Sequence, residues 1–264
     1  MGPITRSVKV VAKLALFGVL TLVLIPVQGV MLAMRAEGAA RWMSKCYHQF
    51  LALLLGIRLT TKGTPGQAPL VVLANHASWI DVIAIASIVP VAFVAKQEVG
   101  AWPIIGSLAR LQRSVFVNRD RHITVQAARR DIASRIRAGY PVVIFPEGTS
   151  TDGTVVLPFR PALVESARDV LALNGAIEAV WVQPLAITYA GQGERVAVWE
   201  RDDPTPFLLH LVRFLASQGV RVLVEWGDPI AFVRTSNRKI VCRTAEDATR
   251  RLLAGLRQEA AELR

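Results

Sequence analysis

The sequence predicts an α/β fold, a mixed and mostly parallel sheet flanked by helices, with an N-terminal membrane-associated two-helix element. Three observations predict it. Residues 14–34 read LALFGVLTLVLIPVQGVMLAM, without a charge. Beyond Pro69, short β-branched runs alternate with segments of helical period. Those runs are continuous instead of alternating apolar with polar, as expected of strands covered on both faces.

The apolar stretch meets the roughly 20 residues a helix needs to cross hydrocarbon. Lys9 and Lys13 precede it and Arg35, Arg41 and Lys45 follow it, so the positive-inside rule gives no orientation. Pro26 and Gln28 suggest a kinked, returning segment with both ends on one face. A second helix is expected over 39–56, with Trp42, Tyr47 and Phe50 suited to an interface. A cleaved signal peptide is the alternative, but its apolar region runs only about 7–15 residues. A buried core helix is seldom apolar all round for so long. The expected division is 1–60, hydrophobic membrane-anchoring helices, and 61–264, one α/β domain.

After the Gly/Pro-rich KGTPGQAP at 62–69, strands are expected at 70–74, 91–95, 114–117, 142–145, 179–188, 196–199 and 220–226. Helices are expected at 79–87, 123–138, 162–173 and 206–217. A last one starts at Thr244, where Thr-Ala-Glu-Asp resembles a capping box.

Hydrophobic residues form 52% of the 264-residue chain and charged residues 19%, which excludes a disordered chain. Lys and Arg number 31 against 20 Asp and Glu, a net charge of +11 that calls for an anionic partner: nucleic acid, a phosphate-bearing substrate or an acidic membrane. Cys46 and Cys242 form no CxxC pair, and no metal site is suggested.

The chemistry concentrates at strand ends. In LVVLANHASWIDV a strand precedes Asn75-His76-Ala77-Ser78 and a helix follows, which places His76 at the carboxyl edge where α/β sheets bind ligands. Asp81, in the first helical turn, can fold back onto one imidazole nitrogen and leave the other as a base. Such a dyad suits deprotonation of a substrate hydroxyl that then attacks an activated acyl carbonyl. The plainer account makes Ser78-x-x-Asp81 a capping box only. FPEGTSTDG at 145–153 follows another strand. Glu147, Gly148 and Thr149 offer an acceptor for substrate hydroxyls and backbone N–H groups for an anion, unless the segment is a simple surface turn. Lys96 and Arg119 end two further strands and bring positive charge to the same rim.

Together NHASWID, AKQE with FVNR, FPEGT with LPFRPAL, and VQPLAI resemble the four motif blocks of the glycerolipid acyltransferases typified by 1-acylglycerol-3-phosphate acyltransferase. The resemblance spans Leu70 to about Thr188. It implies that His76 is the general base and Asp81 its orienting carboxylate, that Lys96 and Arg119 hold the acceptor headgroup, that Glu147, Gly148 and Thr149 shape the acceptor site, and that Pro184 supports the cleft. It implies transfer of a fatty acyl group from acyl-CoA or acyl carrier protein to a lysolipid hydroxyl, 1-acylglycerol-3-phosphate first, with no cofactor and no metal. The implied partners are membrane lipids and the two substrates, not nucleic acid, at the cytoplasmic face of a bacterial inner membrane.

One position departs. Many members that accept a phosphate headgroup carry Arg after Glu-Gly-Thr, and here that residue is Ser150. Arg119, Arg121 and Arg160 are candidates to compensate. EGTSTDGTVVLPFRPAL is also similar to the branch that acylates lyso-ornithine lipids, so both acceptors stay open. A hydrolase with Ser78 as nucleophile lacks a G-x-S-x-G elbow. The remaining rival is a non-catalytic basic module built on Arg110, Arg113, Arg121, Arg129, Arg130, Arg135 and Arg137.

Overall fold

The computed structural model describes residues 3–118, 122–173, 175–200 and 202–263. The chain begins with helices α1 (Pro3–Ala33) and α2 (Glu37–Leu55), then strands β1 (Ile57–Lys62) and β2 (Leu70–Ala74). Next come α3 (Ile80–Ile88), β3 (Ala92–Lys96), α4 (Gln97–Gly100), α5 (Ile105–Leu111), β4 (Val115–Val117), α6 (His122–Arg137) and β5 (Val142–Ile144). The last part holds α7 (Ser166–Leu173), β6 (Val180–Ala190), α8 (Glu194–Ala197), α9 (Phe207–Ala216), β7 (Val220–Trp226), β8 (Ile230–Phe232) and α10 (Arg238–Glu262).

The strands form one sheet in the order β1-β7-β6-β2-β5-β3-β4, with β8 on β6. Among the described residues, only β6–β7 and β6–β8 are antiparallel. Strand β2 shows why the expected α/β pattern holds. All five of its residues are fully buried. Val71 and Leu73 join the core under α6, α7 and α10, whereas Leu70, Val72 and Ala74 join the core under α2, α3 and α9. Each large side chain so buried contributes about 1.5–3 kcal/mol. Helix α2 ends at Gly56 (φ 76°), and a Cβ on Gly219 would lie 2.1 Å from the Gly56 carbonyl oxygen. That close backbone approach lets β1 run directly into its pairing with β7.

Several boundaries differ from expectation. The 60/61 division falls inside β1. The segment 196–199 is no strand: α8 occupies its start, because β6 already has β2 on one side and β7 and β8 on the other. Helix α10 begins at Arg238, where the Asn237 side chain accepts from the Lys239 N–H at 2.9 Å, and Thr244 lies inside it. Its buried stripe of Val241, Cys242, Ala245, Thr249, Leu253, Leu256 and Ala260 runs straight through the expected cap. Helix α1 passes Pro26 unbroken, and the chain reverses at Arg35, whose φ is 56°.

Helix α1 is long and apolar enough to cross a membrane. It also touches the α/β domain toward both of its ends. Lys9 Nζ donates to the Ser217 carbonyl at 2.9 Å, and Gln28 Nε2 donates to the Leu111 carbonyl at 3.3 Å. From position 9 to position 28 the helix covers roughly 28 Å at about 1.5 Å per residue. Thr21 Oγ1 and Tyr47 OH, 2.9 Å apart, tie it to α2. The opposite face exposes Val8, Val11, Val19, Leu22, Val23 and Val30, and α9 exposes Leu208 and Leu209 beside it.

Candidate active site

The site begins where β2 stops pairing. Backbone pairing with β6 ends at Ala74 opposite Leu185, and the Asn75 side chain takes over. Its amide donates to the Ile187 carbonyl at 3.0 Å and accepts from the Ile187 N–H at 2.8 Å. The main chain is thereby free to leave the sheet and present His76.

Asp81 then organises the turn. One oxygen, Oδ2, receives His76 Nδ1 at 2.7 Å, the Ala77 N–H at 2.8 Å and the Ser78 N–H at 3.0 Å. The other, Oδ1, receives the hydroxyl of Tyr189. Every partner can donate, which suits a carboxylate that only accepts. The imidazole proton therefore sits on Nδ1, and Nε2 keeps its lone pair. The capping and dyad accounts of Asp81 are both true, since the oxygen that holds the helix start also holds the ring. Asp81 is fully buried, while the His76 side chain keeps 22% of its surface open. The Phe145 ring stacks on the imidazole with centroids 4.0 Å apart and 18° between planes.

Glu147 meets this turn from the end of β5. Its Oε1 accepts from the His76 N–H at 2.9 Å and its Oε2 from the Leu157 N–H at 3.0 Å. The residue is only 3% exposed. Burial pushes its carboxyl up to about 7, the two backbone donors pull the other way, and the charge of Asp81 adds to the rise. With both oxygens engaged inside the protein, Glu147 positions His76. Each oxygen accepts one backbone N–H, which ties the EGT turn to the His76 turn and to Leu157.

The next residues form the turn itself. Gly148, at φ 84°, donates to the Phe145 carbonyl at 3.2 Å, a conformation that favours glycine. Thr149 is half-buried, and the Thr151 N–H donates to the His76 carbonyl at 2.9 Å. Arg160 is exposed, but its N–H donates to the Pro146 carbonyl at 3.0 Å, so its backbone borders the same turn. Lys96 is exposed at the end of β3. Ala92 lies opposite Val142, itself opposite Val71, so Lys96 is level with Asn75 and Pro146. It stands two strands from β2, about 10 Å away at the usual strand spacing. Arg119 and Arg121 lie outside the described residues. Pro184 is buried opposite Leu73, below the rim, where β6 changes partner from β8 to β7.

The structure thus brings both Asp81 and Glu147 into contact with His76, one at the ring and one at the backbone, and sets Gly148, Thr149, Lys96 and the Arg160 backbone around them. Sequence reasoning missed Tyr189, Asn75 and Phe145. Tyr189 lies 108 positions from Asp81 inside an apolar strand, and nothing local marks it as a partner. Part of the basic module's charge is engaged inside the protein, while Arg130 and Arg137 stay exposed and Arg121 lies outside the described residues. Arg129 forks onto Asp169 at 2.9 and 2.7 Å, Arg113 holds Glu37, Arg135 holds the Arg113 carbonyl, and both Arg110 terminal nitrogens hold the Gly100 carbonyl.

Comparison with known proteins agrees with this arrangement. Residues 57–188 match the Acyltransferase family. The chain is 36% identical over 255 residues to the lyso-ornithine lipid O-acyltransferase of Rhizobium meliloti (strain 1021), covering 92% of this chain and 86% of that one. It is 35% identical over 256 residues to the protein of the same name from Brucella abortus (strain 2308), covering 94% of each. The crystal structure of the 1-acyl-sn-glycerophosphate (LPA) acyltransferase PlsC from Thermotoga maritima shares the fold, with a TM-score of 0.66, 19% identity, and coverage of 96% of this chain and 98% of that one. Motif order, fold and near full-length similarity converge: the chain belongs to the acyltransferase family of lipid biosynthesis.

Proposed function

We propose that this acyltransferase moves a fatty acyl group from a thioester donor, acyl-CoA or acyl carrier protein, to the free hydroxyl of lyso-ornithine lipid. The His76–Asp81 contact carries the chemistry. His76 Nε2 takes the proton of the acceptor hydroxyl as its oxygen attacks the thioester carbonyl. The backbone N–H groups of Thr149 and Ser150 face the developing oxyanion. The C–S bond then breaks, and the thiolate leaves with the proton from the imidazolium. Asp81 and Tyr189 keep the ring in register throughout, and no step passes through a metal or cofactor.

The headgroup follows from Ser150. Its short hydroxyl replaces a guanidinium that would grip a phosphate, and the relatives matched nearly end to end are named for lyso-ornithine lipid. An ornithine headgroup carries a carboxylate and an ammonium group and no phosphate. Lys96 on the rim suits that carboxylate. The same cation favours lysophosphatidic acid as the second reading, in line with the name of the structural relative.

Residues before β1 act as a membrane anchor, and the α/β domain carries the chemistry. Because that domain flanks α1 at both ends, a perpendicular crossing would drag it into hydrocarbon. The helix lies half-embedded, with its exposed valines and leucines in lipid and its flanking cations on one side. This side is the cytoplasmic face, where thioester donors are found.

The test uses the purified full chain in mixed micelles with labelled acyl donor and a panel of lyso-ornithine lipid, lysophosphatidic acid and lysophosphatidylcholine. Acylation of lyso-ornithine lipid at least tenfold faster than of the others is expected. Preference for lysophosphatidic acid would move the reading to phosphatidic acid synthesis, and no transfer to any acceptor would overturn it.

A further inference from the structure

A second basic feature lies away from Lys96. A cavity of about 570 Å³ opens between the N-terminal third of α1, α8 and α9, and Lys9, Arg195, Asp203, His210, Arg213 and Ser217 line it. Three cations thus face one carboxylate. Neither arginine is paired with a carboxylate among the described residues. Lys9 spends one donor on the Ser217 carbonyl, which leaves its others for a ligand. His210 adds no charge. Its Nδ1 accepts from Trp79 Nε1 at 3.1 Å, so its Nε2 carries the proton toward the Val198 carbonyl, also at 3.1 Å.

Topology puts this cavity on the catalytic edge. Strand β6 runs parallel to β2 and continues to Ala190, so α8 emerges on the edge that carries His76. Strand β7 runs the other way, and Ser217 just before it lies on that edge too. Two bonds join the cavity wall to the catalytic turn: the Trp199 N–H, next to the lining residue Val198, donates to the Ala77 carbonyl at 3.0 Å, and Trp79 reaches His210. In the sheet order, β6 lies on one side of β2, and β5, β3 and Lys96 lie on the other.

From this placement we propose that the cavity binds the phosphate of the acyl donor's phosphopantetheine arm, the part common to coenzyme A and acyl carrier protein. Donor and acceptor then approach His76 from opposite sides, the donor over β6 and the acceptor headgroup over β3. An acceptor without phosphate leaves three clustered cations in need of another anion, and the donor supplies it. This inference rests on the thioester-transfer reading above.

The test is the double variant Arg195→Ala/Arg213→Ala in the detergent-solubilised full chain, since both side chains are exposed and neither belongs to the catalytic turn. Calorimetric titration with coenzyme A should show a Kd at least tenfold weaker than wild type. The KM for acyl-CoA should rise by a similar factor, while the KM for the lysolipid and the rate with a phosphate-free acyl-N-acetylcysteamine donor stay within twofold. An unchanged Kd, or no coenzyme A binding by the wild-type protein, overturns the inference. So does an unchanged Kd with lost flotation on phosphatidylglycerol vesicles, which would assign the cavity to a lipid headgroup. If coenzyme A binds through these arginines but no acceptor is acylated, the cavity assignment stands and the proposed activity falls.

Discussion

The phenol of Tyr189 donates to Oδ1 of Asp81, the oxygen opposite the one that holds His76. A residue near the end of β6 thereby locks a carboxylate on α3 that in turn locks an imidazole at the end of β2. The Tyr189 hydroxyl is held well above its usual pKa by burial and then by the charge of Asp81, so it acts as a fixed donor.

Tyr189→Phe should leave Oδ1 buried without its donor. The expected loss is about 1–3 kcal/mol of unfolding free energy, read from a denaturant titration. Unchanged stability would show that the hydroxyl does not hold Asp81.

Asp81→Asn keeps the shape but sets an amide among groups that all donate. Loss of the ring's orientation should lower kcat by about 10³–10⁴-fold, with both KM values within a few-fold of wild type. A loss confined to KM would make Asp81 a contributor to substrate binding and not to ring orientation.

Glu147 gives a pH signature. Its carboxyl titrates near 4.5 when unfolded and is pushed up to about 7 in the folded chain, so the folded state binds the proton more tightly. Stability from this residue is complete below about pH 4.5, falls as pH rises through about 7, and then levels off, a change on the order of 3 kcal/mol. Melting temperatures across this range should show the slope in wild type and a flatter curve in Glu147→Gln. Parallel curves would contradict the assignment.

Membrane placement has its own test. Ser7→Cys and Arg35→Cys lie at the two ends of α1, and both positions are exposed. An impermeant maleimide should label both from the same side of sealed vesicles. Labelling from opposite sides would mean that the helix crosses the bilayer.

Much of this was legible before any coordinates. Strand β2 announced itself through LVVLA, because burial on both faces selects apolar residues at every position. His76 and Asp81 were readable because a turn and the first helical turn bring them together within five residues. Partners distant in sequence left no such trace. Tyr189 looks like any aromatic in a buried strand, and Asn75 like any polar residue in a turn, until β6 is laid beside β2. The contacts of Glu147 are hidden for the same reason: EGT reads as an open loop, and only the folded chain brings the Leu157 N–H to its second oxygen. Local cap chemistry also misled at Thr244, where packing along α10 outweighed it.

The central claim is that the exposed nitrogen of His76 removes the acceptor's proton. The most direct test is the initial rate of acyl transfer by purified His76→Ala, with its melting temperature and vesicle flotation measured alongside. A fall of at least about 10³-fold is predicted, with stability and flotation unchanged. Transfer within tenfold of wild type would contradict the claim.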